Sequence, residues 1–186
     1  MYAPPWVCTP TASTMAKPIW VFGYGSLIWR VDFCHVDVRP AWINGWQRRF
    51  WQGSVDHRGL PNAPGRVVTL VANEDAICHG LAYRLPANPE QTIADLDHRE
   101  RGGYDRVSLP ISTQDGVVEG LTYIAGPENS NYLGPAHPTS LARQIAGASG
   151  PSGPNIEYLL RLQQSLDDLG YPDEHINDIV DALGND

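Results

Sequence analysis

Short β-branched and aromatic runs, punctuated by Gly, Asn and Asp, fill the first two-thirds of the chain, whereas apolar residues in the last third recur at steps of three and four. That change predicts strands first and helices afterwards. Ile19 to Phe22 reads as a strand ending at Gly23, and Gly25 follows after one residue, so the strand enters a tight turn. Asn44 and Gly45 divide the aromatic-rich stretch from Val36 to Gln52 into two strands of a hairpin. Asn73, Glu74 and Asp75 turn Arg66–Ala72 onto Ile77–Leu85, and Asp115 with Gly116 turns another hairpin between Tyr104 and Ala125. Between these lies a helix with Asn88 as its N-cap, Pro89 at its first position, Ile93 and Leu96 as a buried stripe and Gly102 at its exit. Thr139 to Ala148 forms a helix broken by the Gly and Pro residues at 150–154. Asn155 then caps a helix to Leu169 that buries Ile156, Leu159, Leu160, Leu166 and Leu169, and a last helix runs from Asp173 to Leu183. Strands with helices inserted and appended make an α+β fold.

Length bounds this to one domain. The 186 residues suffice for a single core, assigned to residues 18–186, behind a flexible leader at 1–17 that lacks the basic and apolar regions of a secretory signal. Translation from Met15 would still include the whole domain. A formal charge of −8 repels phosphate backbones and anionic lipid, which disfavours nucleic acid as a partner. No apolar run approaches the roughly 20 residues of a membrane-spanning helix. The three cysteines are widely spaced and odd in number, which suggests neither a disulfide framework nor a zinc knuckle and fits a reducing cytoplasm. The six histidines are scattered without metal-site spacing, so no metal site is expected.

Two segments carry candidate chemistry. The turn Gly23–Ser26 (GYGS) lets backbone amides approach a ligand, although a glycine turn after a strand is also ordinary punctuation, and it matches neither a dinucleotide fingerprint nor a P-loop. Nor is Ser26 set in the elbow of a serine hydrolase. Glu100 and Asp97 fall in the last turn of the first helix, where the carbonyl end of the dipole disfavours negative charge and raises a carboxylate pKa. An ordinary surface glutamate would simply pair with Arg99 or Arg101. Gly102 and Gly103 beside it, however, allow close approach, and a carboxylate of raised pKa is a usable proton shuttle near neutral pH. Trp42, Trp46, Phe50 and Trp51 read as packing, and Asp56, His57 and Arg58 as a polar loop that suits either a turn or a charged ligand.

Several collinear segments together, WVFGYGSLIW, RRFWQGSVDHRG, PGRVVTL, GLAYRLP, DHRERGGY, NYLGPA and SGPNIEYL, resemble the ChaC-type γ-glutamylcyclotransferases from about Ile19 to Asp178. The resemblance implies a small mixed β-barrel with surrounding and C-terminal helices. It also implies a cytoplasmic enzyme that cleaves glutathione to 5-oxoproline and cysteinylglycine without a cofactor. By the same comparison Val21, Phe22, Gly23, Tyr24, Gly25, Ser26 and Leu27 receive the γ-glutamyl group, Glu100 is the catalytic acid, and Tyr104 and Tyr132 are pocket walls. Two features depart from the family pattern: the leader, and Arg101 where Lys is frequent. Cyclisation of other γ-glutamyl amino acids or amines, and a non-catalytic module that binds γ-glutamyl compounds, remain as alternatives.

Overall fold

The structure is a computed structural model and describes residues 17–184; the leader at 1–17 lies almost wholly outside the described residues. Five strands close a barrel in the order β1 (Trp20–Gly23), β3 (Gly65–Arg84), β2 (Asp37–Ser54), β4 (Asp105–Thr113) and β5 (Gly116–Ile124). Every pairing is antiparallel except that of β1 with β5, which closes the barrel and makes it mixed. Four helices lie around it among the described residues: α1 (Glu90–Arg99), α2 (Pro138–Gly147), α3 (Asn155–Asp168) and α4 (Glu174–Leu183). A two-residue ladder, β6 (Ser149–Gly150) with β7 (Gly153–Pro154), occupies the stretch of helix breakers. None of these helices is long and apolar enough to cross a membrane.

Both faces of β1 are buried. Trp20 and Phe22 join a core shared with α2, α3 and α4, while Val21 joins a second core with Leu96 of α1, so the strand has no polar face to alternate. β1 therefore reads as a continuous apolar run and holds the following turn between two packed layers.

Two expected hairpins are absent. β2 runs unbroken for 18 residues and β3 for 20, paired from Asp37↔Arg84 to Ser54↔Gly65, so that the ribbon turns only in the loop at 55–64. Gly45 has φ +80°, which suits a hairpin turn, yet here it is a bulge: Asn44 pairs with Ile77 and Trp46 with Ala72, leaving residues 73–76 opposite Gly45 alone. The two turn signals thus face each other across one bend of a long ribbon. The bulge also reverses the alternation of β2, burying Ala41 and Ile43 before it but Arg48, Phe50 and Gln52 after it. The third hairpin forms, with Thr113 paired to Gly116 across Gln114 and Asp115.

Helix ends differ in detail from expectation. Pro89 itself occupies the cap of α1 with no side-chain cap, Glu100 follows Arg99 as the C-terminal cap, and the left-handed residue of the exit is Gly103 (φ +94°) rather than Gly102. In α3 the exposed side chain is Leu160, and Tyr158 and Leu162 are buried instead. Asn155 is the first helical residue and not the cap, because its fully buried amide is engaged elsewhere. It accepts from Arg66 N (2.6 Å) and donates to Arg66 O (2.8 Å), pinning α3 to β3. Asn155→Ala strips two buried backbone groups of partners, an expected loss of about 3 kcal/mol. A lowered urea midpoint with an unchanged m-value would register it, whereas a wild-type midpoint would mean other partners replace the amide. Cys78 is a free, buried thiol.

Candidate active site

Where β1 ends, the chain turns through Tyr24 and Gly25 into a single 3₁₀ turn, Ser26–Ile28. Its first bond runs from Ile28 N to Gly25 O (3.0 Å), so the amides of Gly25, Ser26 and Leu27 precede the ladder and find no partner within it. A cavity of about 210 Å³ opens at this place. Its walls come from the turn, the end of α1 with the loop to β4, the loop after β2, and Tyr158 of α3.

Of the residues proposed from sequence, Phe22, Tyr24, Gly25, Ser26, Leu27, Glu100 and Tyr104 line this cavity. Three do not. Val21 points into the second core because alternate residues of a strand face opposite ways. Gly23 lies under Leu27, whose Cβ would stand 2.8 Å from a Cβ added there. Tyr132 pairs with Gln52 as an isolated bridge, and its neighbour Asn131 lines the cavity. Asp56, His57 and Arg58 also line the cavity. Tyr158, Trp29 and Asp32 were not singled out beforehand. Tyr158 does fall in the segment SGPNIEYL, where a tyrosine on the buried stripe of a helix was the available signal.

Glu100 is 19% exposed at its side chain, and its ionic partner is Arg99, Nε to Oε1 3.4 Å. Burial raises its pKa above the ordinary carboxylate value; Arg99 opposes the shift and Asp32 adds to it. The direction agrees with the sequence expectation, but desolvation rather than the helix dipole is its principal cause. Arg99 is itself held by an ion pair with Asp32 and by donation to Ser26 Oγ (2.9 Å) and to Arg30 O (3.3 Å), so the C-terminal end of α1 is tied to the turn after β1. Burial pushes the hydroxyls of Tyr24, Tyr104 and Tyr158 far above neutral, which keeps them protonated as donors. Tyr24 donates to Tyr123 O (2.7 Å) and Tyr104 to Val68 O (2.9 Å). Among the described residues no group of three His, Cys, Asp or Glu is arranged to hold a metal ion.

A buried carboxylate of raised pKa, amides that the turn itself leaves free, and arginine on the same wall suit acyl transfer on a small zwitterionic amide. The family model described as ChaC-like protein matches residues 19–185. The chain belongs to the ChaC-like family. Glutathione-specific γ-glutamylcyclotransferase 1 of Homo sapiens is 40% identical over 196 residues, covering 97% of this chain and 88% of the human protein. γ-Glutamylcyclotransferase 2-3 of Arabidopsis thaliana is 41% identical over 175 residues, covering 89% and 88%. The crystal structure of the yeast γ-glutamyl cyclotransferase specific to glutathione superposes with a TM-score of 0.84 at 28% identity, covering 91% of this chain and 97% of that one. The mixed barrel with its helices is therefore the ChaC-like fold, as the resemblance implied.

Proposed function

We propose that this ChaC-like protein cleaves glutathione to 5-oxoproline and cysteinylglycine, with Glu100 carrying the proton. The observation that supports this most is Glu100 itself: a carboxylate four-fifths buried in the wall of the cavity that the Gly25–Leu27 turn also lines. The human relative and the yeast enzyme are both specific to glutathione, which favours that substrate over other γ-glutamyl amides.

The reaction is an intramolecular exchange of one C–N bond for another. The α-amine of the γ-glutamyl group is mostly protonated at neutral pH and must lose a proton before it attacks its own γ-carbonyl carbon. Glu100 takes that proton. Holding the chain folded back supplies much of the acceleration, since effective molarities of well-oriented intramolecular attacks reach about 10⁵ M or more. As the ring closes, negative charge moves onto the carbonyl oxygen, and the amides of Gly25 and its neighbours stabilise it. The attacking nitrogen sheds a second proton as it becomes the ring amide, the bond to the cysteine nitrogen breaks, and that nitrogen gains both protons to leave as the ammonium of cysteinylglycine, with Glu100 carrying them in turn. No water is consumed, so the ring carbonyl of 5-oxoproline made in H₂¹⁸O stays unlabelled.

The deciding experiment incubates the pure protein with glutathione and, separately, with γ-glutamylalanine, and follows 5-oxoproline. Faster release from glutathione is expected. Equal release from both substrates would replace this reading with a broader cyclotransferase, and release from neither would leave a binding module. The reading also places the reaction in the cytoplasm, beside the glutathione pool maintained there.

Its pH dependence follows from the raised pKa of Glu100. The ionised carboxylate is the active form, so kcat/KM falls as pH drops through that pKa, and the acid limb sits above the ordinary value of 4.5. Asp32 raises the pKa and Arg99 lowers it. Asp32→Asn should therefore move the limb to lower pH, and a limb that stays or moves up would exclude Glu100 as the titrating group.

A further inference from the structure

The bulge at Gly45 turns a charged side chain inward. Arg48 is 2% exposed, and all three of its guanidinium nitrogens are engaged. Nη1 donates to Asp173 Oδ2 (2.7 Å), Nη2 donates to His79 O, and Nε donates to Tyr24 O (2.6 Å). A buried arginine committed to the main-chain carbonyl of a cavity residue needs a reason, because burying a charge is unfavourable unless it is fully paired.

Stereochemistry supplies one. No cis peptide occurs among the described residues, so the carbonyl of Tyr24 and the N–H of Gly25, which share one planar peptide unit, point in opposite directions. Arg48 holds the carbonyl on the side of β2, β3 and α4, which directs the Gly25 N–H away from them. Gly25 lines the cavity, and its amide has no partner in the following turn. A charged donor on the carbonyl also polarises the peptide and strengthens the N–H at its other end. Asp173 completes the clamp. It is the N-cap of α4, accepting from Ile176 N (3.4 Å), so the position of a C-terminal helix is coupled to the orientation of one peptide in the cavity.

We propose that Arg48 is a positioning residue for this reaction: clamped between Asp173 and His79, it fixes the Tyr24–Gly25 peptide so that the Gly25 N–H is presented to the developing oxyanion. This rests on the cyclotransferase reading given above. It touches no substrate, and its effect belongs to the transition state rather than to binding.

Arg48→Lys keeps the charge but cannot bond three acceptors in fixed directions. Asp173→Ser keeps a cap for α4 but no longer reaches Arg48. Both are to be assayed with glutathione below their melting transitions, with kcat expressed per folded molecule. Arg48→Lys should lose about tenfold to a hundredfold in kcat while KM stays within about twofold, the split expected when a transition-state contact is disturbed. Asp173→Ser should show the same split at smaller size. An unchanged kcat per folded molecule in Arg48→Lys, or a rise in KM that accounts for the whole loss, would overturn the proposal. If Arg48→Lys does not fold, Asp173→Ser decides by the same criterion. Wild-type protein that releases no 5-oxoproline would instead overturn the underlying cyclotransferase reading.

Discussion

Glu100→Gln is expected to lower 5-oxoproline release from glutathione by about 10³-fold, the middle of the range for a positioned general acid–base group. The amide fills the same volume and keeps an oxygen near Arg99, so the loss isolates proton transfer. Titration calorimetry should find glutathione bound with a dissociation constant close to that of the wild type. Sustained turnover by the variant would remove Glu100 from the mechanism, and lost binding would recast it as a substrate anchor.

The same substitution should stabilise the fold. Burial raises the pKa of Glu100 in the folded chain, so folding favours its neutral form. Its favourable contribution is fully present below the unfolded-state pKa and disappears as pH rises through the folded-state value. At pH 7 the folded protein therefore carries a charge it would hold more cheaply in water, and Gln relieves that. Glu100→Gln should melt above wild type at pH 7, with the gap closing as pH falls towards 4. Opposite changes in activity and stability from one side chain mark a group retained for chemistry. A variant that melts lower at pH 7 would indicate that the contact with Arg99 outweighs desolvation.

How much of this was legible in the sequence differs by element. The helices were, because a three-to-four residue period survives in any packing and Pro138, Asp173 and the breakers at 150–154 mark their ends. The long ribbon was not. Asn-Gly at 44–45 supplies the left-handed backbone that a hairpin and a bulge both need, and only the partner strand decides which forms. The reversed alternation after Gly45 was a usable trace, since Arg48 and Phe50 share one face with Gln52. Asn155 departs from the cap for a related reason: asparagine suits a cap, but a buried amide that reaches both main-chain groups of Arg66 on β3 gains two bonds there. In the cavity, the glycine turn and Glu100 were legible as segments. Which of Asn131 and Tyr132 faces inward depends on the bridge to Gln52 and the approach of the loop to β2, both long-range contacts.

Gly25→Ala is expected to reduce kcat/KM by about 10²-fold, the scale of an ångström's misplacement at a reacting centre. A Cβ at this position would stand 2.9 Å from Val68 Cγ2 and 3.0 Å from Tyr158 Oη. Neither neighbour yields easily. Val68 is 2% exposed on β3, and Tyr158 is wedged edge-on against Trp29 (5.2 Å between ring centroids) and Phe50 (5.9 Å). The turn must move instead, carrying with it the amides of Gly25 and Ser26 and the hydroxyl that receives Arg99. Steric displacement makes a further demand that a lost contact does not. Removing the nearer obstacle in Gly25→Ala/Val68→Ala should recover part of the activity, although Val68→Ala alone costs about 1–2 kcal/mol of stability. A double variant no better than Gly25→Ala would show that crowding by Val68 is not what the glycine avoids. Full activity in Gly25→Ala itself would mean the turn adapts, and that the amides at its start are not held for the oxyanion.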